Sequence, residues 1–272
     1  MITAVNAGRH CWLIAVIGTG IALVAIDSGN FSNRQLMNIL VIDIGGTNVK
    51  IWKTEEAEKT KFPSGKELTP QALIDGVRDA TADWPIERIS IGYPGEIRNG
   101  RPVADPYNLA PGWVDVDFGH EFNCPVRMMN DACMQALGSY EGGKMLYLGL
   151  GTGLGTAFIS DGLIVPLALG HLKLWEGETF NHYLSRAGLA LHGKKRWRQA
   201  VAEASTTLKS AFFADYVVLG GGNAEDIKDL PDGCRRGGNH NAYFGGLRMW
   251  EDLGDAATPK LSVVPRGDTE IA

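Results

Sequence analysis

Ile39, Leu40, Val41 and Ile42 form a short apolar run that ends in Asp43 and the turn Gly45-Gly46. A run of this length bounded by glycine predicts a strand covered on both faces. Val49–Lys53 and Lys59–Phe62 continue as strands. Thr69-Pro70 then reads as the cap and first position of a helix to about Ala82, with Leu73, Ile74 and Val77 on one face. Arg88–Tyr93 is a further strand, closed by Pro94-Gly95. Val126–Met129 is another, followed by Asn130-Asp131 at the start of a helix through about Tyr140. The pattern then starts again. Met145–Gly155 is an apolar strand feeding a glycine-rich turn, Thr156–Ile159 returns, and Asp161-Gly162 is a hairpin dipeptide before Leu163–Val165. Helices are predicted over Glu178–Leu191, Lys194–Phe213 and Ala242–Asp252, with a strand at Tyr216–Leu219. Each half thus opens with a strand, a glycine turn and a second strand in an α/β chain. Two lobes follow, 37–141 and 142–252, with Gly142-Gly143 at the boundary and a polar, aperiodic tail over 253–272.

The first 36 residues do not join this repeat. Cys11–Ile26 is uncharged and mostly apolar, and its 16 residues are short for a membrane span. With Arg9 ahead it resembles the apolar core of a signal peptide, but no small-residue cleavage site follows. Met37 stands directly before the first strand. Residues 1–36 are therefore expected to be an upstream extension or leader; an anchor through residues 11–26 and a cleaved signal are the alternatives.

Several residues carry candidate chemistry. At the first turn Gly45 and Gly46 allow close backbone approach, Thr47 and Asn48 add donors, and Asp43 could hold a metal ion beside a phosphate. In the loop Ala104–Trp113, Asn108 either closes the turn or binds a sugar hydroxyl pair. Asn130 suits a helix cap. Asp131, in the first helical turn, either serves the helix or accepts a proton from a substrate hydroxyl. The turn GLGTGLG precedes a strand rather than a helix, so it is not a dinucleotide fingerprint. Gly220-Gly221-Gly222 requires close approach by a neighbouring helix or by a nucleotide. The basic run Lys194–Arg198 is either a solvated helix start or a polyanion contact.

Composition narrows the classes. The chain has 272 residues, 44% hydrophobic and 21% charged, which suits an ordinary globular protein with a sizeable core. A net charge of −5 gives no footprint for nucleic acid. The four cysteines include no CxxC pair, so neither a disulfide framework nor a structural zinc site is expected.

The motifs DIGGTNVK (43–50), GYPG (92–95), the loop with Asn108, NDA (130–132), LGTGLG (150–155), LGH (169–171) and LGGGNA (219–224) occur in one order. On these, the chain from Met37 to about Asp252 resembles the ROK family of sugar kinases, and within it the polyphosphate glucokinase branch. The resemblance implies a two-lobed actin-like ATPase (ribonuclease H-like) fold with a cleft between lobes. It implies transfer of a phosphoryl group from polyphosphate or ATP to a hexose, glucose to glucose 6-phosphate, with Mg²⁺, in a cytoplasmic homodimer. Gly45, Gly46, Thr47, Asn48 and Lys50 match the first phosphate motif, and Gly151, Thr152 and Gly153 the second. Asp43 matches the carboxylate that positions Mg²⁺ through water. Gly221 and Gly222 match the motif near adenosine. Asp131 matches the catalytic base, and Gly95, Asn108, Asn130, Asp131 and His171 the sugar site.

Three departures stand out. Ala168 replaces the Glu that usually lies three residues before the sugar-binding His. Lys173 stands where polyphosphate glucokinases often have Glu. The family's cysteine-rich zinc motif is absent, as in the polyphosphate branch. The first two bear on which sugar is used, and Ala168 favours the alternative of a non-catalytic sugar sensor on the same fold. Residues 1–36 cannot supply a DNA-binding helix-turn-helix domain. The run of Asn130, Asp131 and His171 argues against a kinase for acetate or pantothenate.

Overall fold

A computed structural model describes residues 37–54, 59–82, 84–173, 175–238 and 240–251, together with the backbone of three strands ahead of them. Those three, β1 (Ile2–Ala7), β2 (His10–Ile17) and β3 (Gly20–Asp27), form an antiparallel meander in a unit of its own, Met1–Met37. The apolar run at 11–26 is thus shared by two strands rather than forming one element. Its Val and Ile content, with glycine at 18 and 20, suits short strands better than a helix. Among the described residues, no helix is long and apolar enough to cross a membrane. The tail expected over 253–272 lies outside the described residues.

The second unit, from Asn38 onward, holds two five-stranded sheets. The first half contains β4 (Ile39–Ile44), β5 (Asn48–Lys53), β6 (Thr60–Pro63), α1 (Pro70–Thr81) and β7 (Arg88–Tyr93). A small hairpin of β8 (Ile97–Arg98) and β9 (Arg101–Pro102), then α2 (Phe118–Phe122), β10 (Val126–Asn130) and α3 (Asp131–Ser139), complete it. The second half runs through β11 (Lys144–Leu150), β12 (Leu154–Ser160), β13 (Leu163–Leu167), α4 (Phe180–Leu184), α5 (Arg186–Ala211), β14 (Tyr216–Gly220), β15 (Cys234–Arg236) and α6 (Asn241–Arg248). The strand orders are β10-β7-β4-β5-β6 and β15-β14-β11-β12-β13. In both sheets the central strand pairs antiparallel with the strand after its glycine turn and parallel with the strand on its other side. The repeat legible in the sequence is therefore a repeat of topology.

Local signals account for the elements. All six residues of β4 are buried, as a strand covered on both faces requires. Thr69 caps α1, its hydroxyl accepting the Ala72 N–H at 3.1 Å. One expected helix differs. Glu178–Leu191 is broken at Ser185, whose extended backbone ends α4 and whose hydroxyl accepts the Gly188 N–H at 3.2 Å to cap α5. The expected boundary near 191–194 appears instead as a kink at Gly193, where φ is 74°.

Three apolar clusters hold the unit together. One joins the first sheet to α1 through Leu73, Val77, Ile42 and Ile91, and a second joins the other sheet to α5 through Trp197, Val201 and Leu208. The third lies between the sheets, where Val41, Trp52, Tyr147 and Val218 pack with α3 and α6. There α3 and α6 touch backbone to backbone. A Cβ on Gly138 would sit 1.9 Å from the Asn241 carbonyl oxygen, and one on Gly245 1.8 Å from that of Met134. This contact anchors α3, whose first residue is Asp131.

Candidate active site

The carboxyl ends of β4 and β10 bring Asp43 and Asp131 into one electrostatic neighbourhood with Lys50. Asp43 is almost fully buried. Its Oδ2 accepts from the Lys50 ammonium at 3.0 Å, while its Oδ1 is buried without a protein partner. Asp131 is half-buried, and its Oδ1 accepts the Ala132 N–H at 2.8 Å. Burial and, secondly, the negative charge of Asp43 push the Asp131 carboxyl up to about 7, against the opposing pull of the Ala132 N–H and of Lys50. A carboxylate with a proton affinity near neutral pH has the properties of a general base.

Asn130 positions this acid. Its Oδ1 accepts from the N–H groups of Ala132 at 3.0 Å and Cys133 at 3.3 Å, which caps α3. Its amide donates to the carbonyls of Tyr93 at 3.4 Å and Gly95 at 3.2 Å. Both amide protons are thereby occupied, and the Pro94-Gly95 turn is tied to the start of α3.

The two glycine turns face each other. A Cβ on Gly46 would lie 2.9 Å from Thr152 Oγ1 and 3.3 Å from Asn108 Nδ2, so the first turn, the second turn and the Asn108 loop meet at that point. Asn108 Oδ1 is a buried acceptor with no protein partner. The second turn is braced from behind, since Asn181 Oδ1 accepts the Leu154 N–H at 2.7 Å and the same side chain lies against Gly170. His171 follows on the 3-10 helix Leu169–His171 and is exposed, as are Ala168 and Lys173.

A residue without a sequence signal joins the turns. The Arg186 N–H donates to the Gly151 carbonyl at 2.8 Å, and its guanidinium donates to Thr47 Oγ1 at 3.1 Å. Arg186 reaches this place because Ser185 breaks the helix there. Only that cap, a serine two residues before a small residue, could have hinted at it.

The glycine triplet divides into two parts. Added Cβ atoms would lie 2.2 Å from the Tyr147 hydroxyl at Gly220 and 2.7 Å from the Leu150 carbonyl at Gly221, where φ is 78°. The close approach required at those two positions is to β11, not to a helix. Gly222 faces open space, and the Asn223 amide nitrogen beside it is buried without a partner. Three of the four cations in the basic run on α5 are engaged within the protein: Lys194 pairs with Asp226 at 2.5 Å, Arg198 Nε donates to the Asp226 carbonyl at 2.7 Å, and Arg196 stacks on Trp175. A separate depression of about 480 Å³, lined by Thr69, Asp117 and His120 among others, contains none of these residues.

Asp43 could hold a hydrated Mg²⁺. A lone buried carboxylate oxygen is a usual protein contribution to such an ion, which keeps several waters and takes phosphate oxygens. Among the described residues no three His, Cys, Asp or Glu side chains cluster as a metal site, so water and phosphate would supply the other ligands.

The ROK family matches residues 39–172. The polyphosphate glucokinase of Mycobacterium leprae is 25% identical over 207 residues, 66% of this chain and 62% of that protein, so less than two thirds of its length is spanned. The inorganic polyphosphate/ATP-glucomannokinase of Arthrobacter sp. strain KM superposes with a TM-score of 0.66 at 23% identity, covering 77% of this chain and 96% of that one. A ROK family glucokinase of Streptomyces griseus, in complex with glucose and AMPPNP, gives 0.59 at 15% identity, covering 78% and 98%. The fold is the actin-like ATPase fold.

Proposed function

Because residues 39–172 are a ROK family domain, we propose that this protein is a sugar kinase acting on a hexose, with polyphosphate or ATP as phosphoryl donor and glucose as the first substrate to test. One observation carries the reading: Asp131, with a carboxyl near neutral affinity, stands in the field of Asp43 and Lys50 at the end of the first sheet. The sugar hydroxyl oxygen forms a bond to the terminal phosphorus of the donor, and the bond from that phosphorus to the bridging oxygen breaks. The hydroxyl proton passes to Asp131 Oδ2. The N–H groups and side chains of residues 45–48 and 151–153, with Lys50, position the phosphates. Mg²⁺ beside Asp43 would neutralise phosphate charge, the main requirement of phosphoryl transfer. Asn108 Oδ1, Gly95 and His171 face the sugar, and Asn130 holds Gly95 and Asp131 in register. Gly222 and Asn223 offer room and an amide donor to the adenosine of ATP.

Arg186 contacts both phosphate turns, so in this reading it serves the donor. Arg186→Ala is expected to raise the KM for donor roughly tenfold or more, the worth of a charge-assisted hydrogen bond. As an exposed side chain it should leave the melting temperature nearly unchanged. An unaltered donor KM would remove Arg186 from the site.

The deciding experiment is a coupled assay with glucose and a panel of hexoses, Mg²⁺, and either ATP or polyphosphate. Turnover abolished by Asp131→Asn is the expected result. Ala168 lacks the acceptor its family position usually supplies, and an unmatched hydroxyl costs roughly 1–3 kcal/mol. Glucose affinity should accordingly be some ten- to a hundredfold weaker than that of a sugar which does not need this contact. Absence of turnover with every hexose and both donors would sink the kinase reading and favour a sugar-binding sensor, which Ala168 also supports.

A further inference from the structure

We propose that Lys50, Lys61 and Lys59 form a cationic track on the cleft face of the first sheet that binds a linear inorganic phosphate chain. The proposal rests on the kinase reading of the cleft and extends its donor site beyond the two glycine turns.

The track follows from strand register. Asp43 pairs with Lys50 across β4 and β5, and Lys50 pairs with Lys61 across β5 and β6. Directly paired residues share a face, so these three side chains form one row across three strands. Strands lie about 4.8 Å apart, so the row covers about 10 Å. Lys59, two residues before Lys61, belongs to the same face by the period of a strand. Its ammonium sits 5.9 Å from the ring centroid of Trp52, which packs in the cluster between the sheets. This is the face on which Asp43 meets Asp131.

Three lysines side by side repel one another, and like charges directly opposed across strands are destabilising. Among the described residues the one carboxylate paired with the row is Asp43, which holds Lys50. Among the described residues neither Lys59 nor Lys61 has an ion-pair partner. The Lys59 ammonium is held below its ordinary affinity by burial and by the charges of Lys61 and Lys50, against Asp43 and Glu225. An extended polyanion would relieve this repulsion at every position. Lysines on an edge strand such as β6 also discourage strand pairing. That duty does not require Lys50, on the inner strand β5, to be in line with them. A phosphate chain longer than a triphosphate can meet every lysine of the row in turn, which favours an inorganic chain over ATP.

The test measures binding directly on the full chain, without turnover, using long-chain polyphosphate, tripolyphosphate and ATP. Lys59→Gln with Lys61→Gln is expected to weaken long-chain polyphosphate binding roughly 25-fold, about fivefold for each charge removed. The dependence of affinity on salt should become shallower. ATP affinity should change less than twofold, and Lys59→Arg with Lys61→Arg should restore polyphosphate binding. Equal losses for ATP and polyphosphate, or no loss for either, would overturn the proposal. Lysine-dependent polyphosphate binding in a protein that phosphorylates no sugar would instead keep the track and refute the kinase reading.

Discussion

Asp131→Asn is expected to lower kcat roughly 10²–10⁴-fold, the range supplied by a positioned general base, while leaving the protein folded. The substitution keeps the shape of the side chain and its acceptor for the Ala132 N–H but removes the proton-accepting charge. The pH dependence of the unmodified protein carries the same signature. Burial and the charge of Asp43 raise the carboxyl to about 7, so activity should rise with pH through neutrality and flatten above it. Stability should move the opposite way. The folded state binds this proton more tightly than the unfolded chain, whose carboxyl titrates near 3.8. The group therefore favours folding at low pH, and stability falls as pH rises from about 4 through about 7. The penalty above that window is on the order of 2–4 kcal/mol. Asn carries no such penalty, so the variant should melt higher than the parent at pH 8 and similarly at pH 4. A variant that is both active and no more stable at pH 8 would contradict the role and the buried charge together. Kinetics and thermal melts across pH 4–9 supply both readouts.

Asp43→Asn should cost roughly 10²–10³-fold in kcat. Charge neutralisation at a transferring phosphoryl group is worth several kcal/mol, and each 1.36 kcal/mol is a factor of ten. The Mg²⁺ concentration giving half-maximal rate should rise with it. A second effect separates this variant from a merely damaged protein. Asp43 raises the proton affinity of Asp131, and its Oδ2 engages the Lys50 ammonium. Without the charge, Asp131 loses a repelling neighbour while Lys50 is released to attract it. Both changes lower its affinity, so the acid limb of the residual activity should shift to lower pH. An unchanged Mg²⁺ requirement with an unshifted limb would show that Asp43 neither holds the ion nor couples to Asp131.

Much of this architecture was legible in the chain itself. The run Ile39–Ile42, the Thr69-Pro70 helix start and the strand Arg88–Tyr93 appear where the pattern places them, because burial on both faces, capping and backbone restriction act over a few residues. The repeated strand, glycine turn and strand foretold two sheets of matching topology. Short elements escaped. The β8–β9 hairpin, α2 and β15 have two to five residues each, too few for a period to register. The break at Ser185 escaped too, because the apolar pattern continues across it, and with the break went Arg186.

What the sequence by itself determined was the set of groups and the elements that carry them: Asp43 and Asp131 at strand ends, glycines in the turns between strands, Asn130 at a helix start. Those assignments depend on neighbours along the chain. Tertiary structure alone decided how the groups act on one another. The proton affinity of Asp131 depends on burial and on a carboxylate from another strand. Gly220 and Gly221 turn out to serve packing against β11 while Gly222 stays open, and three lysines align only because β5 and β6 pair in one register. Register, burial and through-space charge are set by contacts between segments far apart in sequence, and no local pattern encodes them.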